Sequence, residues 1–290
     1  MISSSLGETG RITDVVVRHA RDAFVSPARI AAEWRSLNFL APPDHAQACA
    51  EYDALFALLA EGGATVRLLP AGDSVGLDSI YTRDASAVVA TGAVLCRMGK
   101  PARAGEPDAH AAAFAAWGVP IAGRIEPPGR LEGGDVVWLD AHTVAIGRGY
   151  RTNDAGIAQF AALAGPDVTC LTVPLPHWRG PGDVFHLMSM LSPVDRDLAV
   201  VYAPLLPVPL RERLLDRGIT LIEVPEEEFE SMGANVLALA PRECLMVEGN
   251  PVTRRRLEAA GAHVRTYDGA EISLKGGGGP TCLTRPLARA

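Results

Sequence analysis

The stretch Gly218-Ile-Thr-Leu-Ile-Glu-Val224 joins a glycine, placed just after a helical segment, to a short run of β-branched and apolar residues. The same order of helix, glycine and strand recurs at intervals of roughly 43 to 55 residues. Its glycines are Gly63, Gly118, Gly165, Gly218 and Gly261. Because glycine readily adopts a left-handed backbone, it is common just past a helix end. The pattern therefore predicts helices over 52–60, 110–117, 155–164, 210–217 and 253–260, each followed by a strand.

A second segment with polar or reactive residues follows each predicted strand after a turn. These segments are 79–84, 131–135, 183–186, 233–236 and 279–282. A unit of strand, strand, helix and strand cannot bury both faces alone, so several units must associate. Five units around an axis would bring the polar segments together at the centre. The alternative is an ordinary α/β domain whose helices simply end in glycine.

Composition restricts the class of protein and of ligand. With 290 residues, of which 48% are hydrophobic, the chain can bury a large core. A formal net charge of -7 disfavours nucleic acid and suits a small cationic ligand. Five cysteines without CxxC spacing fit a reducing compartment, and no signal peptide or membrane span is evident. We expect a soluble, cytoplasmic protein without a membrane partner, either monomeric or homodimeric.

The loop Gly276-Gly-Gly-Gly-Pro-Thr-Cys282 ends in a cysteine that is placed like a nucleophile. Glycines allow the backbone to approach a bound group closely. His186 is the candidate base, if the fold brings it to Cys282. The alternative is that Cys282 is a buried apolar cysteine, as most free cysteines are.

Five motifs, in this order, resemble the guanidino-group-modifying superfamily, which includes dimethylarginine dimethylaminohydrolases, arginine deiminases and amidinotransferases. They are Tyr81-Thr-Arg-Asp84, Glu132-Gly-Gly-Asp135, Arg151-Thr-Asn153, His186-Leu and Gly279-Pro-Thr-Cys282. The resemblance implies an α/β fold, the fivefold pseudosymmetric ββαβ propeller of the pentein type, with the active site at the central axis. We predict a disordered N-terminus over 1–10 and a single catalytic propeller domain over 11–290.

The resemblance also implies roles for the motif residues. Asp84 is expected to grip the guanidinium nitrogens through charge-assisted hydrogen bonds. Cys282 is the expected nucleophile, and His186 the acid that protonates the departing amine and then activates water. Glu132 is expected to orient this histidine. No cofactor and no metal is predicted.

Recognition of the amino-acid end of the substrate is expected to use further motif residues. Arg151 falls on the Arg-Thr-Asn motif, and Arg103 matches by its spacing after Asp84. Guanidinium groups suit bidentate recognition of an α-carboxylate. Asp78 resembles the family position for an acidic group that binds the α-amino group. The alternatives are surface arginines and a turn-forming aspartate.

The resemblance implies a small cationic guanidine as substrate, and two positions bear on which guanidine it is. Met188 stands where deiminases and amidinotransferases carry a second guanidinium-binding aspartate, which favours hydrolysis of dimethylarginine to citrulline and an amine. Arg83, by contrast, follows the deiminase pattern. Arginine deiminase, arginine dihydrolase and amidinotransferase activities remain alternatives, as do a Cys-His amidase and a binding protein with the same propeller.

Overall fold

A computed structural model describes residues 6–182 and 185–290. Within these ranges fifteen strands form five sheets of three strands each. In chain order, the strands are β1 (Ile12–Val17), β2 (Thr65–Leu68), β3 (Ser86–Val89), β4 (Gly92–Leu95), β5 (Ile121–Arg124), β6 (Val136–Asp140), β7 (Thr143–Arg148), β8 (Thr169–Pro174), β9 (Leu191–Asp195), β10 (Leu198–Val201), β11 (Thr220–Glu223), β12 (Leu237–Ala240), β13 (Glu243–Val247), β14 (His263–Tyr267) and β15 (Arg285–Arg289).

Five longer helices and two short ones lie between the strands in this part of the chain. They are α1 (Ala20–Ala23), α2 (Pro27–Glu33), α3 (His45–Glu61), α4 (Glu106–Trp117), α5 (Asp154–Ala164), α6 (Val208–Asp216) and α7 (Pro251–Ala259). Side-chain caps help to start α3 and α5, since Asp44 accepts from the backbone N–H of Gln47 and Asn153 from that of Gly156. Each helix from α3 to α7 contains one of the five predicted helices almost entirely.

The sheets share one topology, which confirms the predicted fivefold ββαβ arrangement. In each, the first two strands are antiparallel and the third runs parallel to the second, from which a helix separates it; examples are β3-β4-β5 and β6-β7-β8. The remaining sheet, β15-β1-β2, takes its first strand from the C-terminus. Strands from both ends of the chain therefore form this sheet.

The five glycines of the repeat all adopt positive φ. Their φ angles are +83° at Gly63, +67° at Gly118, +95° at Gly165, +74° at Gly218 and +84° at Gly261. A side chain with a Cβ is strained in this region, so glycine lets each helix stop and turn into its strand. The second strand of each sheet is mostly buried, and each helix packs apolar residues such as Leu55 and Leu59 into the core. Truncating such a leucine to alanine costs about 2–5 kcal/mol.

The N-terminal segment differs from the expectation of disorder over 1–10. Residues 1–5 lie outside the described residues, but Glu8 is buried and forms an ion pair with Arg83. Arg11 and Ala290 exchange two backbone hydrogen bonds. Residues 6–10 are therefore part of the folded unit, because a buried ion pair anchors them. Among the described helices, none combines the length and the apolar character that crossing a membrane requires.

Candidate active site

The polar segments predicted to meet at the centre lie directly before the first strands of the sheets. Hydrogen bonds connect them in a closed ring, in which Leu187 and Ser192 make the contacts for the third segment from positions just after it; Asp183 and Val184 of that segment lie outside the described residues. The contacts are Gly133 N to Asp84 O (2.9 Å), Leu187 N to Asp135 Oδ1 (3.0 Å), Ser192 Oγ to Ala234 O (2.7 Å), Thr281 N to Asn235 Oδ1 (3.0 Å) and Arg83 N to Cys282 O (3.1 Å). The predicted assembly of distant motifs at one centre is thus observed.

Glycines occur in these segments because neighbouring side chains approach their backbone closely. A Cβ built on Gly278 would lie 2.5 Å from Cε1 of Tyr81, and one on Gly134 would lie 2.7 Å from Oδ1 of Asp84. Gly134 also abuts the His186 ring, where the same Cβ would lie 2.8 Å from Nδ1. Any larger residue would displace the side chains that form the site.

Cys282 is partly buried and lines a cavity of about 160 Å³ together with His186. Its Sγ accepts a hydrogen bond from Nδ2 of Asn235 at 3.3 Å. Burial and the charge of Asp84 raise the pKa of the Cys282 thiol, although the hydrogen bonds from Asn235 and Thr281 oppose that rise. The sulfur therefore rests as a thiol at neutral pH, and a bound cation would favour the thiolate.

His186 lies between two carboxylates. Its Nε2 donates to Oε2 of Glu132 at 2.7 Å, and its Nδ1 lies 3.8 Å from Oδ1 of Asp84. Burial disfavours the charged ring, but Asp84, Asp135 and Glu132 outweigh it and raise the pKa of His186 to about 9. The histidine is therefore protonated at neutral pH and can donate a proton to a leaving group.

Glu132 is fully buried and paired on several sides. Its Oε1 accepts from the backbone N–H groups of Gly99 (2.8 Å) and Lys100 (3.1 Å), and Nη1 of Arg151 lies 3.2 Å from Oε2. Although burial acts in the opposite direction, the hydrogen bond and charge of His186 and the charge of Arg151 hold the pKa of Glu132 well below its usual range. Glu132 thus stays ionised and holds the histidine ring by a hydrogen bond.

Asp84, the predicted guanidinium ligand, is buried beside these groups. Its Oδ1 accepts from the backbone N–H of Gly134 at 3.2 Å, and its Oδ2 accepts from Nη1 of Arg103 at 2.5 Å. Asp84 and Glu132 thus present two carboxylates on either side of His186. Each carboxylate is also paired with an arginine, Asp84 with Arg103 and Glu132 with Arg151.

Arg103 differs from its predicted role as a ligand for the substrate carboxylate. It is only 3% exposed, and Nε and Nη2 form a bidentate pair with Glu106 at 2.8 and 2.7 Å. Nη1 contacts Asp84, and Nη2 also donates to the backbone oxygen of Tyr81. All three nitrogens are engaged, so these contacts make Arg103 the support of Asp84.

Two further predicted ligands have protein partners as well. Nη1 of Arg151 pairs with Glu132, as described above. Oδ2 of Asp78 accepts from Nζ of Lys100 at 2.6 Å, so this carboxylate binds an ammonium group of the protein itself. Substrate contacts by Arg151 and Asp78 remain predictions.

Met188 does not line the cavity that contains Cys282 and His186. Its side chain is buried in the core and borders a separate small cavity with Arg83 and Thr281. The expectation that Met188 favours dimethylarginine over arginine therefore finds no support in the packing. The apolar groups that line the active-site cavity include Leu40, Trp178, Phe185 and Phe229.

Three residues of the cavity were not assigned a role from the sequence. Asn235 lies in segment 233–236, one of the five polar segments that follow the repeat strands. That position was the sequence feature that could have identified Asn235 as a site residue. Arg179 and Lys275 line the cavity as basic groups and pair with Glu230 and Glu271, respectively. Neither falls on a motif, so only the fold reveals that they border the site.

Asp84, Glu132 and His186 offer ligand atoms that all lie within 4.8 Å of one another. By distance alone, this group could hold a metal ion. A cation there would compete with the hydrogen bond between Glu132 and His186 and with the Arg103 and Arg151 ion pairs. That no metal or cofactor is required remains a prediction.

Asn235→Ala is expected to slow alkylation of Cys282 at neutral pH about tenfold, because it removes the donor to Sγ and the acceptor for Thr281. Asn235→Asp keeps an acceptor for Thr281 but adds negative charge, so it should raise the thiol pKa further. The pH dependence of the iodoacetamide reaction measures both effects. Unchanged alkylation of both variants would show that Asn235 does not tune the sulfur.

Stability is expected to fall as pH rises from about 6.5 to about 9. His186 has its raised pKa only in the folded protein, so its contribution is fully present below the unfolded value of 6.5 and lost above the folded value of about 9. Urea unfolding at a series of pH values measures the decline. His186→Gln should flatten it over this window, and an equally steep decline in that variant would contradict the assignment.

The motif resemblance is confirmed by comparison with known proteins. Residues 42–289 match the sequence family described as N,N dimethylarginine dimethylhydrolase, eukaryotic. The chain is 29% identical over 239 residues to uncharacterized protein YkgA of Bacillus subtilis, across 82% of this chain and 79% of that protein. It is 30% identical over 250 residues to an arginine deiminase of Listeria welshimeri, across 72% of this chain and 61% of that enzyme. It therefore spans less than two thirds of that deiminase.

A solved structure shows the same fold. The dimethylarginine dimethylaminohydrolase of Pseudomonas aeruginosa, as a cysteine-to-serine variant complexed with citrulline, superposes with a TM-score of 0.77 at 22% identity. The match covers 97% of this chain and 100% of the other. Since the family match includes every predicted site residue from Asp78 to Cys282, the chain belongs to the N,N dimethylarginine dimethylhydrolase family.

Proposed function

We propose that this protein is a cysteine-dependent hydrolase of the guanidinium group of methylated arginine, producing citrulline and an amine. The observation that carries the proposal is the cavity lined by both Cys282 and His186, with the carboxylate of Asp84 3.8 Å from the histidine ring. A guanidinium carbon is a poor electrophile, so its hydrolysis needs a soft nucleophile, a proton donor and carboxylates that hold the cation.

In the first half-reaction, the bound cation lowers the pKa of Cys282, and the thiol proton leaves to solvent. The thiolate forms a bond to the guanidinium carbon. The C–N bond then breaks as His186 gives its proton to the departing amine, leaving a thiouronium group on the sulfur. Asp84 binds the guanidinium nitrogens that remain.

In the second half-reaction, the now neutral His186 takes a proton from water. The hydroxide adds to the thiouronium carbon, the C–S bond breaks, and citrulline leaves. Glu132 stabilises the imidazolium each time it forms, through the 2.7 Å hydrogen bond. The same ring therefore acts as acid and then as base, as microscopic reversibility requires.

Methylated arginine is the proposed substrate because the family match is to N,N dimethylarginine dimethylhydrolase. The deiminase-like Arg83 does not argue against it, since its guanidinium group contacts Glu8 and Thr281 and does not line the cavity of Cys282. Deimination of arginine is the second candidate, favoured by the arginine deiminase relative.

Separate incubations with arginine, monomethylarginine and asymmetric dimethylarginine test the substrate. We expect citrulline plus dimethylamine from dimethylarginine, with a higher kcat/KM than for arginine. Citrulline plus ammonia from arginine at the higher kcat/KM would replace the proposal with a deiminase. Ornithine would indicate a dihydrolase or an amidinotransferase. No product, with unprotected alkylation of Cys282, would favour a binding protein.

The ligand of the substrate carboxylate is tested with agmatine, which is arginine without that group. The enzyme should prefer arginine to agmatine, and the variant that loses this preference identifies the ligand. Arg151→Met tests the motif residue, and Arg179→Met tests the basic group that lines the cavity. Arg254→Met, an exposed arginine paired with Glu258, is the matched control and should keep the preference.

A further inference from the structure

Three arginines and one glutamate form a buried charged cluster beneath the ring of site segments. Arg83, Arg285 and Arg289 are 1%, 4% and 4% exposed, and Glu8 is 8% exposed. Arg83 and Glu8 form an ion pair at 3.3 Å. The cluster thus contains three positive charges and one negative charge. None of these side chains has a part in the proposed reaction.

Arg83 has one nitrogen for which the described residues supply no partner. Its Nε donates to the backbone oxygen of Thr281 at 3.0 Å, and Nη1 contacts Glu8. Nη2 is buried and lacks any acceptor among residues 6–182 and 185–290. A buried donor without an acceptor costs free energy, so such a group usually marks a bound water or ion.

Arg285 repeats this pattern. Its Nη2 donates to the backbone oxygen of Arg83 at 2.6 Å and lies 3.4 Å from that of Gly133. Its Nε is buried and has no acceptor in the described part of the chain. Arg289 lies beside it, with Nη1 donating to the backbone oxygens of Gly10 and Ala238.

The charges in the cluster repel one another. Burial, reinforced by the neighbouring Arg83, lowers the pKa of Arg285 to about 9. Burial also lowers the pKa of Arg289, to about 10, and Arg83 adds to the effect. Glu8 opposes both shifts, and an anion beside Arg83 and Arg285 would further offset the cost of burying positive charge.

A small cavity lies within the cluster. Its volume is about 30 Å³, and its lining includes Glu8, Arg83, Arg285 and Arg289. About 10–15 Å³ suffices for one water molecule, so the space admits a monatomic ion. We propose that this cavity binds a single small inorganic anion of the chloride class, held by the guanidinium groups of Arg83 and Arg285.

The anion site would be coupled to the nucleophile through two shared contacts. The side chain of Arg83 donates a hydrogen bond to the backbone oxygen of Thr281. The backbone N–H of Arg83 donates another to the backbone oxygen of Cys282, at 3.1 Å. Arg285 holds Arg83 in turn. An anion that orders these arginines would therefore stabilise the loop that carries Cys282.

Thermal unfolding at constant ionic strength tests the site, with sodium chloride replacing sodium gluconate. We expect the Tm of the unmodified protein to rise by about 2–4 °C between 5 and 200 mM chloride, because binding to the folded state alone stabilises it. The ³⁵Cl NMR line should broaden on addition of protein. An unchanged Tm together with an unbroadened line would overturn the proposal.

Two variants change the site in opposite directions. Glu8→Gln removes the competing negative charge and should tighten chloride binding at least about tenfold. Arg285→Gln should abolish the chloride response, while Arg254→Gln, on the surface, should keep it. If Arg285→Gln does not fold, Glu8→Gln alone tests the proposal. Chloride binding that weakens or stays constant in Glu8→Gln would contradict the proposed ligands. None of these measurements depends on the catalytic activity.

Discussion

Cys282→Ser is expected to lower kcat by at least about a thousandfold while leaving the fold intact. A serine hydroxyl is a far weaker nucleophile than a thiolate, and the protonated His186 cannot serve as the base that would activate it. The fold should persist because the hydroxyl oxygen can still accept the hydrogen bond from Asn235. Steady-state turnover and circular dichroism measure the two effects.

Cys170→Ser is the matched control for this prediction. Cys170 is also partly buried and lies in strand β8, away from the cavity. We expect this variant to retain turnover and to leave Cys282 reactive towards iodoacetamide, with protection by substrate. Activity of Cys282→Ser above about a tenth of that of the unmodified protein would be incompatible with covalent catalysis.

Substitution of His186 is expected to lower kcat by about 10²–10⁴-fold and to block the release of any thiouronium adduct that forms on Cys282. Without the ring, the departing amine lacks its acid and the attacking water lacks its base. His186→Ala also leaves the buried carboxylate of Glu132 without its 2.7 Å partner, so it is expected to destabilise the protein. His186→Gln, whose amide can donate to Glu132, separates the chemical effect from the structural one.

Mass spectrometry of enzyme quenched during turnover detects the adduct. We expect it to accumulate in His186→Gln when the substrate carries a good leaving group that needs no protonation, such as S-methylthiocitrulline. His142→Ala, at an exposed histidine, should turn over normally without accumulating adduct. Normal turnover by both His186 variants would remove this residue from the mechanism.

The repeat was predictable because its signals are local. A glycine that must adopt positive φ after a helix is visible in the sequence wherever it occurs, and all five of the predicted positions have that conformation. The closure of the first sheet by β15 was not predictable in this way, since its pairing with β1 joins residues 269 to 277 positions apart. Neither strand has a sequence feature that identifies the other as its partner.

The contacts of the motif residues were predicted with unequal success, for a similar reason. Glu132 and His186 are paired as their motifs implied. Arg103 was assigned to the substrate carboxylate from its spacing after Asp84, because a sequence does not show that Glu106 and Asp84 contact its guanidinium group. Met188 was placed beside His186 in the chain, yet its side chain borders a different cavity.

The sequence by itself determined the number of repeat units, their glycine turns and the residue types available for chemistry. These follow from the backbone preferences of single residues and from the reactivity of single side chains. Only the tertiary structure decided which groups neutralise one another, such as Arg103 with Asp84 and Lys100 with Asp78, and that Asn235 holds the sulfur of Cys282. Charge pairing and hydrogen bonding depend on distances of a few ångströms between segments far apart in the chain, and those distances exist only once the five units have closed into a ring.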